Sequence, residues 1–210
     1  MNSDSSVRFF EAQFQRQVRD ADFRLNPFEE AALPHLSGRV LDYGCGLGNL
    51  AIAAAQRGCS VLALDASPTA IARLRQVAAA GSLAIEAREA DLRNDRIDGE
   101  FDAVVSIGLL MFFDCATALA QLRQLQSHLS PGGVAVINVL VQGTTYLDMF
   151  DPAGHCLLTR DEVLERFAGW GIVRCDEQEF SAPGARIKSF VTVVARKPQT
   201  TCPSEASAPP

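Results

Sequence analysis

The chain has 210 residues, of which 48% are hydrophobic, with a formal net charge of −6 and a pI of about 5.1. A domain usually takes roughly 100–200 residues, so one domain with a substantial core is expected. The acidic balance disfavours a nucleic-acid partner, because a negative surface repels phosphodiester backbones. The apolar runs fall far short of the roughly 20 residues of a membrane span, and the start of the chain is too polar for a secretory signal. We therefore expect a cytoplasmic protein with no membrane partner.

The chain has six cysteines, at positions 45, 59, 115, 156, 175 and 202. They form no CxxC pair, and the three histidines, His35, His128 and His155, are far apart in the sequence. A metal site needs several converging ligands, so this spacing predicts none. We expect six reduced thiols, as is usual in the cytoplasm.

Residues 1–38 are predicted to form a helical lead-in or cap. Phe10, Phe14 and Val18 make an apolar stripe at a spacing near four, which is typical of a helix. Asn26-Pro27 then marks the start of another helix, since proline is tolerated in the first turn.

From residue 39 to residue 197, short apolar runs alternate with helical stretches, and we assign this segment to one domain. The predicted strands are Val40–Tyr43, Val61–Leu64, Leu83–Ala87, Phe101–Ile107, Val134–Val141, Ile172–Cys175 and Ile187–Ala195. Helices are expected after the first, second, fourth and fifth of these strands. Their starts are marked by capping residues such as Ser67, Asp114 and Thr159, the last with Glu162 in a capping box.

This alternation predicts a mainly parallel sheet covered by helices on both faces. A turn around Pro183-Gly184, without a helix, joins the last two strands, so they should be antiparallel to each other. Residues 198–210 are rich in Pro, Ser and Thr and have no core-forming pattern, which predicts a disordered tail.

A glycine-rich loop follows the first predicted strand and is the most informative segment of the chain. Gly44, Gly46 and Gly48 alternate with other residues and lead into a helix. Glycine lets the backbone turn sharply and lets a ligand approach closely. Asp65, 21 residues after Gly44, ends the next strand, where a carboxylate can accept both hydroxyls of a ribose.

The spacing of this loop bears on which cofactor it holds. A nicotinamide fingerprint is usually G-x-G-x-x-G, whereas this loop is G-x-G-x-G with Asp42 two residues before the first glycine. A carboxylate beside a pyrophosphate is repulsive, but beside the ammonium of a methionine it is attractive. The sign of this interaction favours S-adenosylmethionine (SAM).

The segment from Val40 to Lys197 resembles the class I SAM-dependent methyltransferases. Beside the glycine loop, the resemblance rests on Asp91-Leu92, on the fourth-strand run Phe101–Ser106 and on the turn Leu129–Gly133. It implies an α/β, Rossmann-like sheet of seven mainly parallel strands with helices on both faces and an antiparallel last strand. It also implies SAM as cofactor, held at Asp42, Gly44, Cys45, Gly46, Gly48, Asp65, Ala66, Asp91, Leu92 and Ser106.

A narrower resemblance is to the TehB-like (tellurite-resistance) methyltransferases. It rests on Leu110–Phe113, on Leu158–Trp170 and on the ending Arg186-Ile187-Lys188. It implies a soft chalcogen oxyanion as methyl acceptor. Such proteins can carry a His-Arg pair just upstream of the Arg-Ile-Lys segment, and Phe180–Gly184 contains neither residue. The acceptor is therefore open, while SAM-dependent transfer by in-line displacement is expected.

Arg186 is the candidate for orienting an anionic acceptor, because a guanidinium offers forked donors, and Lys188 shares its side of the strand. Arg186 and His155 are the candidate catalytic residues, and Met111, Tyr146 and Arg186 the candidate substrate-binding ones.

Several alternatives to this prediction stay open. A different small acceptor, such as a thiol, an amine or a carboxylate metabolite, fits the same cofactor residues. A nicotinamide-dependent oxidoreductase and a SAM-binding protein without catalysis belong to other classes. The partner is expected to be a small-molecule methyl acceptor, and the protein a monomer or homodimer.

Overall fold

A computed structural model describes residues 5–151 and 154–199. The predicted tail lies almost wholly outside the described residues, so its disorder stays a prediction. Within the described ranges, no helix is long and apolar enough to cross a membrane.

Seven strands form one sheet in the order β3-β2-β1-β4-β5-β7-β6. Their bounds are β1 Arg39–Tyr43, β2 Ser60–Asp65, β3 Ile85–Glu89, β4 Phe101–Ile107, β5 Leu129–Leu140, β6 Gly171–Ala182 and β7 Arg186–Arg196. The pairs among β1 to β5 are parallel, and β7 is antiparallel to both β5 and β6. The predicted fold class and the antiparallel ending are confirmed.

Six α-helices and two short 3₁₀ turns surround this sheet in the described ranges. The helices are α1 Ser5–Asp20, α2 Pro27–Ala32, α3 Asn49–Gln56, α4 Pro68–Gly81, α5 Cys115–Ser127 and α6 Arg160–Glu165. The 3₁₀ turns are Leu33–His35 and Leu110–Phe112. Asp114 caps α5 through the backbone N–H of Thr117, and Thr159 and Glu162 form the predicted capping box of α6.

Each face of the sheet carries its own apolar cluster. Leu41 and Val104 belong to one cluster, while their chain neighbours Val40 and Val105 belong to the other. Successive side chains of a strand point to opposite faces, so a strand covered on both faces reads as a continuous apolar run. This burial fixes the carboxyl ends of β1, β2 and β4 side by side at one edge.

Several strand boundaries differ from the prediction, the largest difference being at β6, which ends at Ala182 rather than Cys175 because it pairs with β7 up to the turn. β3 begins at Ile85 rather than Leu83, because Ser82 adopts a left-handed conformation and the N–H of Leu83 still bonds to Ala78 at the end of α4. β5 begins at Leu129 rather than Val134. The Pro-Gly-Gly segment is accommodated within the strand by a register shift against β4, between Phe101 and Ala103.

The prediction of six reduced thiols is wrong, because Cys115 and Cys156 form a disulfide. The two residues are 41 positions apart, and the fold brings the start of α5 against the loop that follows β5. The N–H of Cys156 donates to the carbonyl of Met111 at 3.0 Å, which holds that loop in place. Cys45, Cys59 and Cys175 are free thiols, and Cys202 lies outside the described residues.

Candidate active site

A cavity of about 580 Å³ opens at the edge of the sheet where β1, β2 and β4 end. Its walls come from the glycine loop, from α1, from the start of α2, and from the segments after β3 and β4. On its far side it reaches β5, β7 and the loop after β5. Its size lies within the range of about 300–1,000 Å³ that is usual for small-molecule sites.

The glycine loop forms the cavity wall after β1. Gly44 has φ +84° and Gly46 φ +53°, a conformation that favours glycine. A Cβ on Gly44 would lie 2.8 Å from the side chain of Leu109, so a larger residue cannot be accommodated without a shift. The loop thereby presents backbone rather than side chains to the cavity.

Asp65 joins the glycine loop to the end of β2. Its two carboxylate oxygens accept the backbone N–H of Gly46 and the N–H of Ser67, each at 2.8 Å. Burial raises the pKa of the Asp65 carboxyl, while these two hydrogen bonds oppose the rise. The carboxylate lines the cavity, and its remaining lone pairs can accept hydrogen bonds from a ligand's hydroxyls.

Asp42 is a buried carboxyl on the cavity wall. One of its oxygens, Oδ2, has no hydrogen-bond partner among the described residues. Burial raises the pKa of Asp42 to about 8, and the nearby Glu29 and Asp65 carboxyls add to this shift. A buried carboxylate is costly unless a cation or donor compensates it. The position therefore suits a ligand that brings a positively charged donor.

Asp91 and Leu92 line the cavity beyond β3. Asp91 accepts the N–H of Arg93 at 3.2 Å and the amide of Asn94 at 2.9 Å, which orders the turn. The carbonyl of Leu92 accepts the hydroxyl of the buried Tyr43. This end of the cavity is therefore a fixed wall of backbone and carboxylate.

Ten of the residues predicted for the site line the cavity together. They are Asp42, Gly44, Cys45, Gly46, Asp65, Ala66, Asp91, Leu92, Met111 and Tyr146.

Four other predicted residues lie outside the cavity lining. Gly48 caps α3 and packs against Leu74, and Ser106 is fully buried within β4. His155 stacks on the ring of Phe150 at 4.8 Å. These positions do not bring the side chains of Ser106 or His155 to the cavity surface.

Arg186, the fourth, forms a forked ion pair with Asp148. Its Nη1 and Nη2 donate to the two carboxylate oxygens at 2.6 and 2.9 Å, and its Nε donates to the carbonyl of Pro183 at 2.9 Å. Its guanidinium also lies 4.7 Å from the ring centre of Tyr146. The forked donors of Arg186 are thus occupied by protein groups.

The far end of the cavity holds residues that the sequence alone did not place there. Lys188, Phe190 and Met149 line it, as does the fully buried Asn138. The amide of Asn138 donates to the hydroxyl of Thr192 at 2.8 Å, while its Oδ1 has no partner among the described residues. Every second side chain of a strand lies on the same face, and this alternation along β7 is the one sequence signal that places Lys188 and Phe190 together.

Helix α1 covers the cavity from above. Phe10 packs edge-on against Phe112 at 5.0 Å, and Phe14 lies against Gly46. Glu11 accepts hydrogen bonds from the hydroxyls of Ser67 and Thr69 at the start of α4. Phe10 and Phe14 of the predicted apolar stripe therefore face the cavity, whereas Val18 is exposed and lies outside the cavity lining.

A family model described as a methyltransferase domain matches residues 40–133. Hemagglutinin 1 of Eikenella corrodens is 27% identical over 170 residues, which are 76% of this chain and 55% of that protein. The probable S-adenosyl-L-methionine-dependent methyltransferase TehB of Haemophilus influenzae is 26% identical over 166 residues, 76% of this chain and 57% of that protein. The chain thus spans about half the length of these curated relatives.

Two solved structures share the fold. The crystal structure of TehB from Haemophilus influenzae has a TM-score of 0.72 at 21% identity, over 86% of this chain and 65% of that chain. A structure from work on the conversion of a disulfide bond into a thioacetal group during echinomycin biosynthesis has a TM-score of 0.64 at 27% identity, over 86% of this chain and 85% of that chain.

Residues 40–133 thus match a methyltransferase domain, and the sheet order and the cavity agree with the class I SAM-dependent methyltransferase fold. Within that class, the chain is similar to TehB in both sequence and fold.

Proposed function

We propose that this protein transfers the methyl group of SAM to a small molecule with a soft nucleophilic atom, such as a chalcogen oxyanion or a thiol. The observation that carries the proposal is the unpartnered carboxylate oxygen of Asp42 on the wall of a cavity that also presents Asp65. An ammonium donor compensates Asp42, and ribose hydroxyls match the free lone pairs of Asp65. SAM carries both groups.

The residues of this chain hold the cofactor in three places. Asp42 and the glycine loop bind the methionine part, Asp65 the ribose, and Asp91 with Leu92 the adenine end. When bound, SAM supplies the methyl group and the leaving group. The acceptor's lone pair would form the new bond to the methyl carbon, the electrons of the broken carbon–sulfur bond would stay on the sulfur of S-adenosylhomocysteine, and a thiol acceptor would react as the thiolate after its proton passes to solvent.

The protein's own contribution is positioning and exclusion of water. Helix α1 closes over the cavity through Phe10 and Phe14, and Met111 and Phe112 pack at the acceptor side. Alignment of the reacting atoms in such a site is worth roughly 7–11 kcal/mol of the barrier. The sulfonium of SAM leaves as a neutral thioether, so no acid is needed to protonate the leaving group.

A soft acceptor is supported by the groups at the far end of the cavity. Of the described residues, no histidine lines it, and the candidate catalytic residue His155 stacks on Phe150 instead. Sulfur, selenium and tellurium centres are reactive without a strong general base. The similarity to the echinomycin protein, whose named reaction takes place at a disulfide, supports a sulfur acceptor. Amine and carboxylate acceptors are the alternatives.

The test is a panel of acceptors with methyl-labelled SAM. Selenite, tellurite and small thiols should receive label, recovered as the methylated oxyanion from the inorganic acceptors and as a thioether from the thiols. A matched panel of small amines and carboxylates should receive none. Label on an amine alone would overturn the soft-acceptor proposal and leave SAM-dependent transfer intact. A cytoplasmic location and a monomeric or homodimeric state stay predictions.

A further inference from the structure

Charge is divided between the two ends of the cavity. Asp42 and Asp65 lie at the carboxyl ends of β1 and β2 and Asp91 follows β3, whereas Lys188 lies on β7. Because β4 and β5 stand between β1 and β7, three strand spacings of about 4.8 Å each separate these two strands, roughly 14 Å in all. The cofactor end is therefore lined mainly by carboxyl groups, together with Arg24 and Arg93, whereas the charged residue described at the acceptor end is Lys188.

Two cations flank the ring of Tyr146 at this end. The guanidinium of Arg186 lies 4.7 Å from the ring centre, and the ammonium of Lys188 lies 4.8 Å from it. Arg186 is neutralised by Asp148 and lies outside the cavity lining. Lys188 lines the cavity and makes no ion pair with a described carboxylate. Partial burial removes water from the Lys188 ammonium and lowers its pKa. An anion that binds beside this ammonium would replace the lost water and stabilise the charged form.

The backbone fixes Tyr146 and Lys188 relative to each other. The N–H groups of Thr145 and Tyr146 donate to the carbonyl of Ile187 at 3.0 and 3.1 Å, and the N–H of Ile187 donates to Thr145 Oγ1 at 2.9 Å. The loop after β5 is thereby tied to the residue before Lys188. The ring of Tyr146 limits the directions that the lysine side chain can take.

We propose that Lys188, held against Tyr146, binds an anionic group of the acceptor and sets a preference for anionic over neutral acceptors, with Arg186 supporting Tyr146 rather than binding the acceptor. The inference rests on the proposed function and assigns its acceptor specificity to one residue. Lys188 is a specificity-determining residue, because it touches the acceptor at a site remote from the transferred methyl group.

The direction of β7 explains how charge recognition and transfer share one cavity. Lys188, Phe190 and Thr192 alternate along one face of the strand, and Phe190 pairs with Leu140 while Thr192 pairs with Asn138. The charge-binding position is therefore towards the start of β7, and the buried Asn138 lies deeper. An acceptor bound at Lys188 directs its other end inwards.

The experiment uses two thiols that differ mainly in charge, 3-mercaptopropionate and 2-mercaptoethanol. The wild-type protein should methylate the anionic thiol with a kcat/KM at least about tenfold higher, the factor that corresponds to 1.4 kcal/mol. Lys188→Met should abolish this preference, with the larger loss of kcat/KM falling on the anionic thiol, and leave the affinity for SAM close to wild type. Lys188→Arg should restore most of the preference. Arg174→Met removes one positive charge from β6, outside the cavity lining, and should keep the preference.

A binding measurement separates this inference from the proposed function. The products 3-(methylthio)propanoate and 2-(methylthio)ethanol are titrated into the S-adenosylhomocysteine complex of each variant. If the wild-type protein binds the anionic probe more tightly and Lys188→Met does not, the inference is supported. This holds even if neither thiol is methylated, because absence of methylation would count only against the proposed acceptor. Equal binding of both probes, or an unchanged preference in Lys188→Met, would overturn the inference even if both thiols are methylated.

Discussion

Arg186 and Asp148 form a forked ion pair, with both terminal guanidinium nitrogens within 2.9 Å of the carboxylate. Asp148 holds the pKa of Arg186 above its usual range, and Arg186 lowers the pKa of Asp148. The pair closes the loop after β5 onto the start of β7. The Asp148 side chain is 56% exposed and the Arg186 side chain 34%, so solvent screens the pair and it acts on the position of Tyr146 more than on global stability.

This pairing predicts that Asp148→Asn and Arg186→Met have the same effect. Each change frees the loop that carries Tyr146, so each should lower kcat/KM for an anionic acceptor by about the same factor, with little further loss in the double variant. Steady-state kinetics of the wild-type protein, the two single variants and the double variant give a double-mutant cycle that measures the coupling between the two residues. If Arg186 instead bound the acceptor itself, Asp148→Asn would free the guanidinium and raise the affinity for the anion.

Asp42→Asn should stabilise the protein without cofactor and weaken its binding of SAM. The folded-state pKa of Asp42 is about 8 against an ordinary value of 3.8, so the folded protein holds a proton between these pH values that the unfolded chain releases. The contribution of Asp42 to stability therefore falls as pH rises from about 4 to about 8. An asparagine at this position does not titrate, so the Asp42→Asn variant does not lose this stability as the pH rises. Thermal unfolding at pH 6 and pH 8 should show its advantage growing with pH.

The matching loss in cofactor binding follows from the missing charge. A hydrogen bond to a charged group is worth about 1.5–3 kcal/mol, so SAM affinity should fall roughly 10- to 100-fold in Asp42→Asn. Calorimetric titration measures it. Unchanged affinity would place the ammonium of SAM elsewhere in the cavity.

SAM binding should release a proton near pH 7. Asp42, with its pKa at about 8 in the free protein, is mostly protonated at that pH, and the ammonium of SAM favours the ionised form. Affinity should therefore rise from pH 6 towards pH 8, and fall above it as the amino group of SAM loses its own proton, near pH 7.7–8.0 for an ordinary α-amino group. Titrations in two buffers of different ionisation enthalpy reveal the released proton. Asp42→Asn should release none.

Reduction of the Cys115–Cys156 disulfide should destabilise the protein. The bond closes a loop with a sequence separation of 41, and loop-closure entropy gives a contribution of about 4 kcal/mol for this length. Denaturant unfolding with and without a phosphine reductant checks this. The variant Cys115→Ser should match the reduced wild-type protein and show no response to the reductant. If the reductant leaves the unfolding curve of the wild-type protein unchanged, the disulfide does not contribute the expected stability.

The cofactor end of the cavity was predictable because it depends on chain order. Parallel strands place their carboxyl ends at one edge, so Asp42, Asp65 and Asp91 meet there once the alternation of strands and helices is recognised. The charge of Asp42 also indicated the type of cofactor before any geometry was known. These predictions needed only strand order and the sign of a charge.

The acceptor end depends on loop contacts that periodicity does not contain. Arg186 and Lys188 share one face of β7, and what distinguishes them is Asp148, 38 positions before Arg186. The disulfide likewise joins residues 41 positions apart. The stripe on α1 predicted a helix, but where that helix docks is set by Phe112 and Gly46. Such contacts between loops and distant elements require the folded chain.

Calorimetric titration of the wild-type protein with SAM, S-adenosylhomocysteine and NAD shows whether the cavity lined by Asp42 and Asp65 binds SAM. We predict saturable binding of SAM and S-adenosylhomocysteine at one site per chain, weakened in Asp65→Ala, and no heat of binding with NAD. Saturable binding of NAD with none of either adenosyl compound would contradict the account.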